Sequence, residues 1–136
     1  MEAFSELNHV DQLLQNCVPH KISYINRLLS LDTHKNNLSV FYNNIDGVTS
    51  NFDNLSAELS PMKSKFSIIT LAETNLDVEN KDLFRLNGYQ SIYQSKIAGK
   101  RKGSGLAIYI KEEFICKPNE KFNQCSKNME SLFITI

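Results

Sequence analysis

Apolar residues fall into runs of two kinds along this chain, and their order predicts its architecture. Phe66-Ser67-Ile68-Ile69-Thr70-Leu71-Ala72 is nearly continuous in apolar character and reads as a buried strand, and the shorter Leu38-Ser39-Val40-Phe41-Tyr42 reads as another. Between them Phe52, Leu55, Leu59 and Met62 recur three or four residues apart, the spacing of one helix face, with Ser50 or Asn51 available as a cap. Pro61 ends or kinks that helix, since an interior proline costs about 3 kcal/mol. Strand, helix, strand predicts a parallel crossover in which both strands point the same way. The residues just past their carboxyl ends, Asn44 and Glu73, then meet at one rim of the sheet, where ligands of open α/β sheets bind.

The flanking segments extend this pattern. Phe4, Leu7, Val10, Leu14 and Cys17, then Ile22, Ile25, Leu28 and Leu29 after Pro19, predict a helical arm over residues 1–35. The polar stretch Asp32 to Asn37 separates it from an α/β body over residues 36–136. Past Glu73, a loop over Asn75 to Lys81 and a helical turn within Asp82 to Leu86 lead to an Asn87-Gly88 turn. Strands are then expected at Tyr89 to Tyr93, Leu106 to Ile110, Phe114 to Cys116 and Leu132 to Ile136. The last apolar run reaches the carboxyl terminus without a closing element, which predicts that the chain is the front part of something longer.

Composition removes several classes of function. The hydrophobic content of 41% in 136 residues is enough for one packed core. Fifteen Lys plus Arg offset fifteen Asp plus Glu, so affinity for nucleic acid has to come from local clustering. Cys17, Cys116 and Cys125 are odd in number and form no CxxC pair, which argues against a disulfide framework and against a zinc knuckle. The sequence shows no membrane-spanning run and no signal-peptide order at its start. The expectation is an intracellular chain, nuclear or cytoplasmic, not secreted and without a membrane partner.

Five short motifs occur in series: Asn44-Ile45-Asp46-Gly47, Leu71-Ala72-Glu73-Thr74, Asn87-Gly88-Tyr89, Gly103-Ser104-Gly105-Leu106-Ala107-Ile108-Tyr109 and Glu130-Ser131-Leu132-Phe133-Ile134. In this order they resemble the endonuclease/exonuclease/phosphatase superfamily, nearest to the apurinic-type endonuclease domains of non-LTR (LINE-like) retrotransposons, over roughly residues 38 to 136. The resemblance implies an incomplete two-layer αβ sandwich (α/β, or α+β) that hydrolyses phosphodiesters with Mg²⁺ or Mn²⁺. It implies that Glu73 is a metal ligand. Asn44 would lie beside the metal as a catalytic and metal-site residue that orients the scissile phosphate or its ligands. A carboxylate, an amide and a phosphate oxygen suit a hard cation that keeps several waters. Glu130 enters a strand and is carried over as a structural residue of the site.

The attacking water needs a base, which the family draws from Gly-Asp-x-Asn and Ser-Asp-His segments. Neither occurs here, and His9, His20 and His34 all precede the first strand. General acid–base help is worth about 10²–10⁴-fold, so the chain by itself is expected to be inactive or nearly so. Lys96, Lys100, Arg101 and Lys102 are candidate DNA contacts through phosphate, against the alternative of an ordinary solvated loop. Gly103-Ser104-Gly105 precedes a strand, not a helix, and reads as hairpin geometry. Thr74 reads as a solvated strand-end residue. The leading function is DNA nicking within a retrotransposon endonuclease/reverse transcriptase polyprotein, completed by a carboxyl-terminal remainder of the domain. The alternatives are an inactive remnant or binding module, and a phosphoinositide or nucleotide phosphatase branch of the same superfamily.

Overall fold

The computed structural model describes residues 22–29, 37–62, 66–99 and 102–136. The arm before Ile22, with His9, Cys17 and His20, lies outside the described residues, as do His34, Lys100 and Arg101. Helix α1 (Ile22–Leu29) precedes β1 (Val40–Asn44), helix α2 (Val48–Leu59) and β2 (Ile68–Ala72). A 3₁₀ turn at Lys81–Leu83 leads to β3 (Tyr89–Gln94) and β4 (Leu106–Lys111). Four two-residue strands follow: β5 (Lys117–Pro118), β6 (Gln124–Cys125), β7 (Glu130–Ser131) and β8 (Ile134–Thr135). The fold is mixed α/β. None of its described helices is long and apolar enough to cross a membrane.

The main sheet has the order β1-β2-β4-β3. β1 and β2 are parallel, with Asn44 opposite Ala72, while β4 is antiparallel to both β2 and β3. The two inner strands are apolar on both faces because both faces are covered. On one side Ile69, Leu71, Ala107 and Tyr109 pack with Val48 and Leu55 of α2, and Ile25 of α1 rests against the same cluster. On the other, Ile68, Ile108 and Ile110 are covered by Phe114, Cys116, Leu132 and Ile134.

Helix α2 ends where Pro61 dictates, but it starts earlier than a Ser50 or Asn51 cap predicts. Gly47 precedes it at φ 96°, and the first helical N–H, that of Val48, donates to the Thr74 carbonyl at 2.9 Å. A tertiary bond thus replaces the side-chain cap, and Val48 is drawn fully into the core. Asn51 instead donates from Nδ2 to the Ile45 carbonyl at 2.9 Å, bracing the turn.

The expected strands at Phe114 to Cys116 and Leu132 to Ile136 need correction. Phe114 donates its N–H to the Lys111 carbonyl (3.0 Å) and accepts from Gln90 Nε2 (2.6 Å), so its backbone is used up locally. Phe133 N–H goes to Asn123 Oδ1 at 2.6 Å, which separates β7 from β8, so only Ile134–Thr135 of the expected run is strand. Competing side-chain bonds of this kind offer the backbone an alternative to the ladder.

Tyr109, fully buried, is the hub of the main core. Its ring meets that of Tyr93 edge-on at 5.9 Å, and its hydroxyl donates to the Phe84 carbonyl at 2.8 Å. Burial pushes the Tyr109 phenol up, with a further push from Tyr93, and burial raises Tyr89 from 10.0 to about 12. The native state therefore holds these protons more tightly than the unfolded chain does. Their contribution to stability is complete below pH 10.0 and is lost as pH rises through about 12. An alkaline titration followed together by near-ultraviolet circular dichroism and tyrosinate absorbance should show unfolding across that window; stability unchanged beyond it would contradict the burial of these phenols.

Candidate metal centre at the rim of the sheet

The parallel pairing of β1 with β2 brings the ends of the two strands together. Ile45 N–H donates to the Ala72 carbonyl at 3.0 Å, carrying the pairing one residue past β1. Asn44 Nδ2 then donates to Glu73 Oε1 at 2.9 Å. The amide's orientation is fixed from its other end, because Asp46 N–H donates to Asn44 Oδ1 at 3.3 Å. A backbone N–H only donates, so oxygen must face Asp46 and the NH₂ must face the carboxylate. In this arrangement Asn44 orients Glu73 through its NH₂, while its oxygen accepts from Asp46 and keeps a second lone pair.

The backbone beneath Glu73 is unusual. Glu73 and Asn75 lie at φ 54° and 55°, the left-handed region that side-chain-bearing residues seldom adopt. Each such residue stores about 1–2 kcal/mol of strain, which surrounding bonds must offset. Four of them do so. Gly47 N–H donates to the Glu73 carbonyl (2.8 Å) and Val48 N–H to that of Thr74. From the other side, Thr74 N–H donates to the Gly105 carbonyl (3.1 Å) and Asn75 N–H to that of Ser104 (2.8 Å). The carboxylate is thus held on a segment bonded to the β1–α2 turn on one side and to the β3–β4 loop on the other.

That loop approaches very closely. A Cβ placed on Gly105, at φ 91°, would lie 2.5 Å from Thr74 Oγ1, and one on Gly103 would lie 3.6 Å from Glu73 Oε2. Thr74 is fully buried, so the expectation of a solvated residue fails. Its hydroxyl finds no hydrogen-bond partner among the described residues. Ser104 and Asn75 were not among the expected site residues. Ser104 is buried and its Oγ accepts from Ile97 N–H at 3.0 Å, while Asn75 Oδ1 accepts from Ser104 N–H at 3.4 Å. A serine between two glycines was the available signal for the first; nothing in the sequence marked the second.

Among the remaining candidates, Lys96 pairs through Nζ with Asp77 Oδ2 at 3.1 Å, so its charge is matched by an acid from the preceding loop. Lys102 is exposed, and Lys100 and Arg101 lie outside the described residues. Glu130 does reach the rim: its Oε1 accepts from Gly105 N–H at 2.8 Å. Among the described residues no cluster of three or more His, Cys, Asp or Glu is assembled, and Glu73 forms no ion pair with Lys or Arg. The site is therefore one carboxylate, oriented by a neutral amide, beside a glycine-lined approach. A cavity of about 250 Å³ lies next to Asn44 and is bordered by Asn43, Asn54 and Glu58. A larger one, about 390 Å³, sits at the opposite end of β2 near Met62, Phe66 and Tyr89, away from this chemistry.

Searches with the sequence find no matching protein-family model and no matching curated protein. The close approach of the loop is testable directly. Gly105→Ala should lower stability by at least about 2 kcal/mol, since it adds both a clash and left-handed strain. Gly103→Ala, facing only a movable carboxylate oxygen, should cost less. Denaturant melts of the two variants measure the difference; equal small losses would mean that the loop does not press against Thr74.

Proposed function

We propose that this rim is the metal-binding and phosphate-orienting part of a divalent-metal-dependent phosphodiesterase of the endonuclease/exonuclease/phosphatase type, acting on DNA. The observation that carries the reading is the 2.9 Å bond from Asn44 to Glu73 at the carboxyl ends of two parallel strands. The acid follows a buried strand directly, is held by a neutral amide and sits on left-handed backbone, and such strain gathers at functional sites. One carboxylate with an amide beside it suits Mg²⁺ or Mn²⁺, which accept a single protein carboxylate and complete their shell with water and phosphate.

In this reading Glu73 would hold the cation, and Asn44 fixes the carboxylate's rotamer in the manner of a partner that orients a ligand from behind. A bound divalent cation supplies polarisation of a phosphoryl oxygen and stabilises the leaving alkoxide. The chain's own residues bind and orient. Gly103 lets the backbone come close to the carboxylate and Gly105 lets it press on Thr74, while Lys102, with Lys100 and Arg101 of the same segment, offers charge to the phosphodiester backbone without reading sequence.

Titration calorimetry with Mn²⁺ tests the assignment. Glu73→Gln should abolish saturable binding, and Asn44→Ala should weaken it by about 10–100-fold, the usual effect of losing a partner that orients a ligand. Unchanged affinity in Glu73→Gln would refute the site. For the DNA contact, changing Lys100, Arg101 and Lys102 together to Ala should reduce the salt dependence of duplex binding by roughly two to three in log–log slope. An unaltered slope would make this an ordinary solvated loop.

A further inference from the structure

Glu130 is far from Glu73 in sequence, yet its carboxylate reaches the segment against which Glu73 rests. We infer that Glu130 is a positioning residue: by accepting from Gly105 N–H at 2.8 Å it clamps the Gly103–Gly105 segment onto the strained Glu73–Asn75 backbone. Three observations lead there. Gly105 donates to Glu130 on one side while its carbonyl accepts from Thr74 N–H at 3.1 Å on the other, so one peptide transmits the clamp to the rim. Thr74 and Gly105 are too close for any side chain between them, so a small retreat of Gly105 opens the contact. Gly103, two residues away, faces Glu73 Oε2, so the same retreat changes the space beside the carboxylate.

The strand that carries Glu130 is short and cannot anchor the residue alone. β7 pairs only Glu130 and Ser131 with β6, and Gln94 Nε2 ties that pair to the end of β3 by donating to the Gln124 carbonyl at 2.8 Å. Glu130 thereby joins the layer over one face of the sheet to the loop that shapes the rim. The bond needs an acceptor and not a charge, because its donor is a neutral peptide. What the rim is used for rests on the metal-binding reading above; the clamp does not.

Hydrogen exchange at single amides, measured beside Mn²⁺ affinity, separates the two. Glu130→Ala should speed exchange at the Thr74 and Asn75 amides by about tenfold, the worth of one hydrogen bond, and weaken Mn²⁺ binding by a similar factor. Glu130→Gln, whose side-chain carbonyl can still accept from Gly105, should restore both. Ser131→Ala is the control for loosening of the hairpin, since Ser131 Oγ accepts from Gln124 N–H and donates to the Phe122 carbonyl without touching Gly105. It should leave Thr74 and Asn75 unchanged. Exchange unaltered in Glu130→Ala, equal damage from Gln, or equal damage from Ser131→Ala would overturn the inference. Faster exchange at Thr74 and Asn75 in a chain that takes up no Mn²⁺ would support the clamp while removing the metal reading.

Discussion

Everything at the rim depends on one constrained peptide segment, Glu73 to Asn75, which leaves β2 in a conformation that side-chain-bearing residues avoid. Two left-handed residues flanking a buried threonine would relax if they were free. They are held by hydrogen bonds from Gly47 and Val48 on one side and to Ser104 and Gly105 on the other. Because the bonds come from both flanks, the fold fixes the backbone from which the carboxylate projects. Asn44 then needs to supply only the last contact.

The same arrangement explains why the sheet is built as it is. Parallel pairing of β1 with β2 places two strand ends side by side, and antiparallel pairing of β4 with β2 delivers the start of β4, with its glycines, to the same rim. β2 and β4 are buried on both faces. The helix covers one face and a set of two-residue strands covers the other. The second cover is thinner. β1 keeps Val40 and Tyr42 exposed at the edge of that face, and β5 to β8 owe their positions as much to side-chain bonds as to ladders.

What could be read in advance follows from where the controlling forces are local. The crossover, the end of α2 at Pro61 and the meeting of Asn44 with Glu73 were legible, because apolar periodicity and proline chemistry act within a few residues. The start of α2 was not, since its first N–H is satisfied by a carbonyl beyond β2. The pairing of Lys96 with Asp77 was hidden for a related reason: charge counts along the chain do not show which loop folds back onto which. The shortening of the Leu132 to Ile136 run to β8 was not legible because one asparagine, Asn123, takes the Phe133 N–H that a longer strand would have used. Glu130 was legible as a residue of interest, but its partner, a glycine N–H, carries no side-chain signature.

Paramagnetic broadening by substoichiometric Mn²⁺ in the nuclear magnetic resonance spectrum tests the central claim most directly. The account predicts that the Asn44 side-chain amide and the backbone amides of Glu73 and Gly103 disappear first, while those of Phe66 and Tyr89, at the other end of the sheet, stay sharp. Broadening centred elsewhere, or uniform across the chain, would contradict a metal site at this rim.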